Sequence, residues 1–263
     1  MPALIFDCDG VLADTERDGH RQAFNETFAE VGVPVRWSEE EYGVKLKIGG
    51  GKERMASLLT DEFVRENGLP ADVQGQKDLL ADWHRSKTAR YKAIVLAGRL
   101  PARSGIARIV DEALEAGWLL AVASTSAEES VRAVLEHAVG IAKASRFAVF
   151  AGDAVAAKKP DPAIYNLTLE RLGIGPEDAI VIEDSRNGLL AAVGAGVRCV
   201  VTVSGYTAEE DMSEAVLVIT SLGDPGDPAR VLANRGAAEP GELVTLDDLD
   251  ACRTQPISDK EAV

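Results

Sequence analysis

The sequence predicts an α/β protein: a parallel sheet covered on both faces by helices, with an all-helical domain inserted after the first strand. Three observations predict it. From about residue 100 onward, short apolar runs alternate with helical segments, the pattern of strands joined by crossover helices. One more apolar run, Ala3 to Phe6, stands by itself at the N-terminus. Between the two, residues 14 to about 95 read as nearly all helix.

Taken in order, Ala3 to Phe6 is long enough for a buried strand and ends at Asp7-Cys8-Asp9-Gly10. In the inserted segment Phe24, Phe28 and Val31 recur at helical spacing, as do Met55, Leu58 and Leu59; Leu79, Leu80 and Trp83 open a long helix that runs on through Tyr91. Gly105 to Ala116 is a helix closed by Gly117. Trp118 to Ala123, Phe147 to Phe150, Ala179 to Ile182 and Cys199 to Val203 are strands, separated by helices at Glu128 to Ala138, Pro162 to Leu172 and Gly188 to Ala195. Val216 to Ile219 is a last strand, and Asp224-Pro225-Gly226-Asp227-Pro228 a turn or linker. The expected division is residues 1–13 with 100–253 as the sheet domain, 14–99 as the helical domain, and 254–263 as a flexible polar tail.

Composition narrows the classes. The chain has 263 residues, 46% hydrophobic and 27% charged, which suits a globular protein with a core. A formal net charge of -15 argues against nucleic acid as partner, but not against an anionic substrate held by a local basic cluster. No apolar run approaches the roughly 20 residues of a membrane span. The three cysteines, Cys8, Cys199 and Cys252, form no CxxC or zinc spacing and fit a reducing compartment. No targeting segment precedes the first strand, so a cytosolic protein or a processed mature form is expected.

Ligands in open α/β sheets gather beyond the carboxyl ends of the strands. The residues that follow the apolar runs are Asp7 and Asp9, then Ser124, Thr125 and Ser126, then Glu183, Asp184 and Ser185; Lys158-Lys159-Pro160 precedes the helix at Pro162. On a strand, Asp7 and Asp9 point the same way, which two carboxylates tolerate best beside a cation or a charged substrate. Each piece has a plainer reading: Asp-Gly starts turns, Ser-Thr-Ser caps helices, Glu-Asp-Ser opens one, and Lys-Lys is a solvated surface. All four together, in this order, point to chemistry.

The combination resembles the haloacid dehalogenase superfamily of phosphoryl-transfer enzymes, over residues 3 to about 220. The resemblance implies a Rossmann-like sheet core with an inserted helical cap. Its DxDG motif falls on Asp7-Cys8-Asp9-Gly10, its Ser/Thr motif on Ser124, its lysine on Lys159 and its acidic motif on Glu183-Asp184. By that resemblance Asp7 is the nucleophile, Asp9 the general acid and base, and Ser124 and Lys159 hold the phosphate. The implied cofactor is Mg²⁺, with Asp7, the Asp9 carbonyl and Asp184 as ligands and Glu183 in support.

Against the acidic background the helical segment carries Arg17, His20 and Arg21, then Lys45, Lys47, Lys52 and Arg54, then Arg85, Lys87 and Arg90. Gly49-Gly50-Gly51-Lys52 frees backbone amides for an anion at a helix start, although it is not a P-loop, since Leu46 and Glu53 occupy the diagnostic positions. A flexible turn with incidental charge is the plainer reading. The functional one is a second anion site, hence a small bisphosphate substrate. His20 to Phe28, Lys47 to Met55 and Ala151 to Tyr165 are similar to the CbbY proteins of photosynthetic bacteria and chloroplasts, closest to the plant and algal members. That family hydrolyses xylulose 1,5-bisphosphate, a Rubisco inhibitor. The likeness implies Glu16, His20, Tyr42, Gly50, Lys52, Arg54, Lys87 and Thr125 as substrate contacts. It also implies the chloroplast stroma, or the cytoplasm of a photosynthetic bacterium. The expected partner is a small sugar bisphosphate, not nucleic acid or membrane, and the expected state a monomer. A β-phosphoglucomutase-like mutase, a phosphoglycolate or general sugar-phosphate phosphatase, and a non-catalytic sugar-phosphate sensor stay open as alternatives.

Overall fold

The computed structural model describes residues 1–46, 48 and 51–254. Along the chain run β1 (Ala3–Phe6), a π-helical turn (Thr15–His20), α1 (Arg21–Glu30), α2 (Glu39–Leu46), α3 (Gly51–Ala56), α4 (Asp61–Glu66), α5 (Val73–Leu96), α6 (Ile106–Glu115), β2 (Leu119–Ala123), α7 (Glu128–Val139), α8 (Ile141–Ala144), β3 (Phe147–Phe150), α9 (Ala163–Leu172), β4 (Ala179–Glu183), α10 (Arg186–Gly194), β5 (Arg198–Thr202), β6 (Leu217–Ile219), β7 (Val231–Asn234) and α11 (Leu246–Thr254). The chain forms two compact units, Met1–Asp14 with the described residues from Leu100 on, and Thr15–Arg99.

The first unit is built on a seven-stranded sheet in the order β3-β2-β1-β4-β5-β6-β7. All neighbours pair in parallel except β6 and β7. The lone N-terminal strand therefore lies in the middle, between β2 and β4. Its four residues are fully buried, as a strand covered on both faces must be. On one face Ile5, Ala121 and Val181 pack with Tyr165 and Leu169 of α9 and Leu189 of α10. Strand order reverses at β1, so the carboxyl ends of β1, β2 and β4 converge where such sheets bind ligands.

The Thr15–Arg99 unit is helical throughout. Phe24 and Phe28 of α1 pack with Trp37, Tyr42 and Trp83 into an aromatic core. Thr60 and Asp72 cap α4 and α5 through their side chains.

Several elements depart from the reading of the sequence. Val31 is the half-exposed end of α1 rather than a core position, and Leu58 and Leu59 lie in the turn after α3. Of the two readings of the Asp224–Asp227 segment, turn or linker, the tight turn is the one found, and it leads into β7. Neither β7, α8 nor α11 was expected. Thr254 is the last residue of α11, and 255–263 of the expected tail lie outside the described residues.

Candidate active site

Each strand end delivers its group by local geometry. β1 stops at Phe6, and the Asp7 amide still donates to Ile182 O at 2.9 Å, so Asp7 leaves the sheet held beside β4. The chain then turns sharply: Leu12 N donates to Cys8 O and Gly10 N to Ala13 O, both at 2.9 Å. Gly10 sits at φ +79, and a Cβ there would run into the Asp184 carboxylate. Two requirements, a left-handed backbone and close approach, meet at this glycine. Gly188 plays the matching part for Glu183, whose carboxylate fills the place of a Cβ.

Lys159 joins the carboxylates. Its Nζ donates to Asp7 Oδ1 and to Glu183 Oε1, both at 2.6 Å, and to Ala123 O at 3.0 Å. Tyr165 OH donates to the same Glu183 Oε1 at 2.5 Å, while Ser185 Oγ and the Asp184 amide approach Oε2. Glu183 is thus occupied in holding Lys159. Burial works to lower the Lys159 ammonium, but Asp7 and Glu183 outweigh it and keep it above its usual range. Burial also pushes Asp7 up to about 7, against the pull of Lys159. For Asp184, burial and then the repulsion of Glu183 and Asp7 raise the carboxyl well above the ordinary value.

Carboxylate oxygens of Asp7, Glu183 and Asp184 lie within 4.8 Å of one another. Three carboxyl groups against one ammonium cannot all ionise in this buried place without a further positive charge. An all-oxygen donor set of that kind suits a hard divalent cation. The residues present fit such an ion.

The other core candidates surround this cluster. Asp9 is half-buried, and its Oδ2 accepts from Ser126 Oγ. Ser124 is buried; its amide donates to Phe150 O at 3.0 Å and its Oγ accepts from Ser126 N at 3.2 Å. Thr125 is exposed. Cys8 is buried between the aspartates, and burial, Asp9 and Asp7 push its thiol up, away from the reactive thiolate.

Reading the sequence assigned no role to three residues here, although Ser126 stood among the strand-end residues. Tyr165 carries the hydroxyl on Glu183, and Ser126 the one on Asp9. Arg103 donates to the carbonyls of Gly10, Thr202, Val203 and Thr220, tying the Asp7–Gly10 turn to the ends of β5 and β6.

The Thr15–Arg99 unit holds the remaining candidates in two groups. Tyr42 OH donates to Glu16 Oε2 at 2.5 Å and accepts from Arg54 Nη1 at 3.1 Å. Tyr42 is fully buried, so its hydroxyl serves to align Glu16 and Arg54. In the second group Lys87 Nζ lies 2.8 Å from His20 Nδ1. Lys52 is exposed at the start of α3, and Gly50 lies outside the described residues, as do Lys47 and Gly49. Among the described residues, no helix is long and apolar enough to cross a membrane.

Comparison with known proteins agrees with this architecture. Residues 1–196 match the family model of haloacid dehalogenase-like hydrolases. A CBBY-like protein of Arabidopsis thaliana is 47% identical over 89% of this chain and 73% of its own length. The protein CbbY of Cereibacter sphaeroides is 44% identical over 86% of this chain and 94% of its own. Among solved structures, CbbY from Rhodobacter sphaeroides in complex with phosphate superimposes with a TM-score of 0.66. It is 42% identical and covers 84% of this chain and 94% of its own. A mutant of the same CbbY, crystallised with xylulose-(1,5)bisphosphate, matches equally well. With that fold, that cluster and those relatives, the chain belongs to the haloacid dehalogenase-like hydrolases and is a phosphoric monoester hydrolase.

Proposed function

We propose that the protein is a magnesium-dependent sugar-bisphosphate phosphatase that converts xylulose 1,5-bisphosphate to xylulose 5-phosphate and phosphate. The observation that carries the reading is the Asp7–Lys159–Glu183–Asp184 cluster, where a carboxylate, an ammonium at 2.6 Å and further carboxyl groups meet in one buried place. The substrate rests on the relative that binds xylulose-(1,5)bisphosphate, together with the basic residues of the Thr15–Arg99 unit.

In the reading proposed, Asp7 attacks phosphorus, the bond from phosphorus to the sugar oxygen breaks, and Asp9 gives that oxygen its proton. Water then attacks the aspartyl-phosphate; Asp9 takes its proton, phosphate leaves and Asp7 is restored. Lys159 and Ser124 hold the phosphoryl oxygens, and the exposed Thr125 offers a further contact. Asp7, Asp184 and the Asp9 carbonyl would hold Mg²⁺, which would supply the charge that offsets repulsion between carboxylate and phosphate. Arg54, His20 and Lys52 serve the second phosphate, Glu16 accepts from a hydroxyl of the sugar, and Tyr42 and Lys87 stand behind them. The setting proposed is removal of a Rubisco inhibitor in the chloroplast stroma by a monomer; that a relative comes from a plant supports the compartment.

Release of inorganic phosphate tests the proposal. Xylulose 1,5-bisphosphate should turn over with the highest kcat/KM among it, ribulose 1,5-bisphosphate, 2-phosphoglycolate and glucose 1-phosphate, and chelation should abolish the activity. Faster hydrolysis of 2-phosphoglycolate would overturn the substrate, and phosphate returned to the sugar would make the protein a mutase.

A further inference from the structure

His20 ends the π-helical turn, and its ring has two distinct edges. Nδ1 faces Lys87 Nζ at 2.8 Å. The ring lies against Tyr91, centroids 3.8 Å apart and planes 22° from parallel. Lys87 is itself buried, with its ammonium 4.8 Å from the centre of the Phe24 ring and 5.4 Å from that of Tyr91. Aromatic faces stabilise a cation in such a place. An ammonium has only donors, so a bond between it and Nδ1 requires a lone pair on Nδ1. The ring's one proton is then on Nε2, which has no hydrogen-bond partner among the described residues.

We propose that Lys87 is a positioning residue: it fixes His20 as the neutral tautomer with the proton on Nε2, so that the ring presents an N–H donor to an anionic oxygen of the substrate. This rests on the reading above that the Thr15–Arg99 unit meets a substrate phosphate, and it changes the part Lys87 plays in it. Lys87 does not grip the anion; it sets the proton of the residue that does. The lowered basicity of His20, due to burial, then Lys87, then Arg54, agrees with a neutral ring. A neutral ring donates a hydrogen bond without adding a third full charge beside Lys87 and Arg54. Tyr91, stacked on the ring, keeps the edge pointed in one direction.

Nitrogen NMR of the histidine rings in the wild-type protein at pH 7 tests the tautomer directly. The His20 signals are identified by their loss in His20→Gln, which leaves His84 and His137. We expect an unprotonated, pyridine-like Nδ1 and a protonated Nε2. A proton on Nδ1, or on both nitrogens, overturns the proposal whatever the substrate proves to be. Kinetics supply the second arm. His20→Gln keeps an acceptor for Lys87 and an N–H donor, so its KM for the bisphosphate should stay within about threefold, while His20→Ala should raise it by about tenfold or more. Lys87→Met should raise KM more than it lowers kcat and should mix the tautomers in the NMR spectrum. If Lys87→Met leaves the His20 tautomer unchanged, Lys87 is not what sets it. If the tautomer is as expected and His20→Ala leaves KM unchanged, the anion reading of this unit fails while the ring assignment stands.

Discussion

Lys159 and Lys87 are both buried lysines, and the two units treat them in opposite ways. Lys159 has a carboxylate at 2.6 Å on each side, Asp7 and Glu183. Lys87 meets a ring nitrogen of His20 and the faces of Phe24 and Tyr91. In the first setting acid outnumbers base, and a third carboxylate, Asp184, stands by. In the second, the charges that bear on His20 are the cations Lys87 and Arg54. Carboxyl groups in excess of their lysine suit a cation. Cations gathered about a neutral ring suit an anion. In a protein of net charge -15, the second is the more informative, because bulk composition works against it.

The sharpest way to break this contrast is to remove the nucleophile without changing its shape. Asp7→Asn keeps an oxygen for Lys159 but cannot form an acyl-phosphate, and phosphate release should fall by on the order of 10⁴-fold or more. Mass spectrometry should also find no phosphorylated protein in the variant. If turnover survives within tenfold, the acidic cluster is a binding site and the reaction lies elsewhere.

A smaller effect should come from the backbone that shapes the cluster. Gly10→Ala forces an alanine to φ +79 and drives its Cβ against the Asp184 carboxylate. The left-handed conformation alone costs roughly 1–2 kcal/mol. Displacing Asp184 should raise the magnesium concentration needed for half activity by roughly tenfold or more, and calorimetric titration with magnesium should show the same weakening. An unchanged magnesium affinity would remove Asp184 from the ligand set.

Much of this cluster was legible in the sequence, because each member directly follows a short apolar run or starts the next helix. That is where an α/β sheet exposes its strand ends, and β1, β2 and the first four residues of β4 are uninterrupted apolar runs. Its supports were not legible. Arg103 reaches the carbonyls of Gly10, Thr202, Val203 and Thr220, a set defined only after folding. Tyr165 did carry a faint signal: a tyrosine on the apolar face of a helix needs a partner for its hydroxyl, and Glu183 is that partner. β7 escaped because an edge strand with Val231 and Leu232 half-exposed has no alternation to read. The acidic helix α11 escaped although Leu246, Leu249 and Cys252 repeat every third residue and are buried.

On the cationic side, Arg54→Ala removes a guanidinium that lies 3.1 Å from Tyr42 OH and 3.8 Å from Glu16. A charge-assisted hydrogen bond to phosphate contributes about 1.5–3 kcal/mol, so KM for the bisphosphate should rise by about 10- to 100-fold, with a smaller fall in kcat. A loss confined to kcat would show that Arg54 acts on the reacting phosphate and not on the distant one.

The smallest expected effect concerns stability, and it separates the two regions by pH. Burial, Lys87 and Arg54 hold the His20 imidazole well below its usual value. The ring ends a turn that also carries Glu16 and Asp18, stacks on Tyr91 of α5, and faces Lys87 of the same helix. Above about pH 6.5 the ring is neutral in both folded and unfolded chains, and it adds no pH dependence. As pH falls below that value the unfolded chain takes up a proton that the folded one refuses. Stability is therefore lost progressively toward the folded-state value, at no more than about 1.4 kcal/mol per pH unit from this group. His84 is also lowered, by burial first and then by Lys87, and it adds to the same slope. The difference between wild type and His20→Gln isolates the first ring, since glutamine does not titrate. Melting temperatures from pH 7.5 to 5 should converge on those of His20→Gln, or fall below them, as the solution becomes acidic. A constant gap between the two proteins across that range would mean that His20 charges as readily in the folded chain as outside it, and the cationic surround would have no hold on the ring.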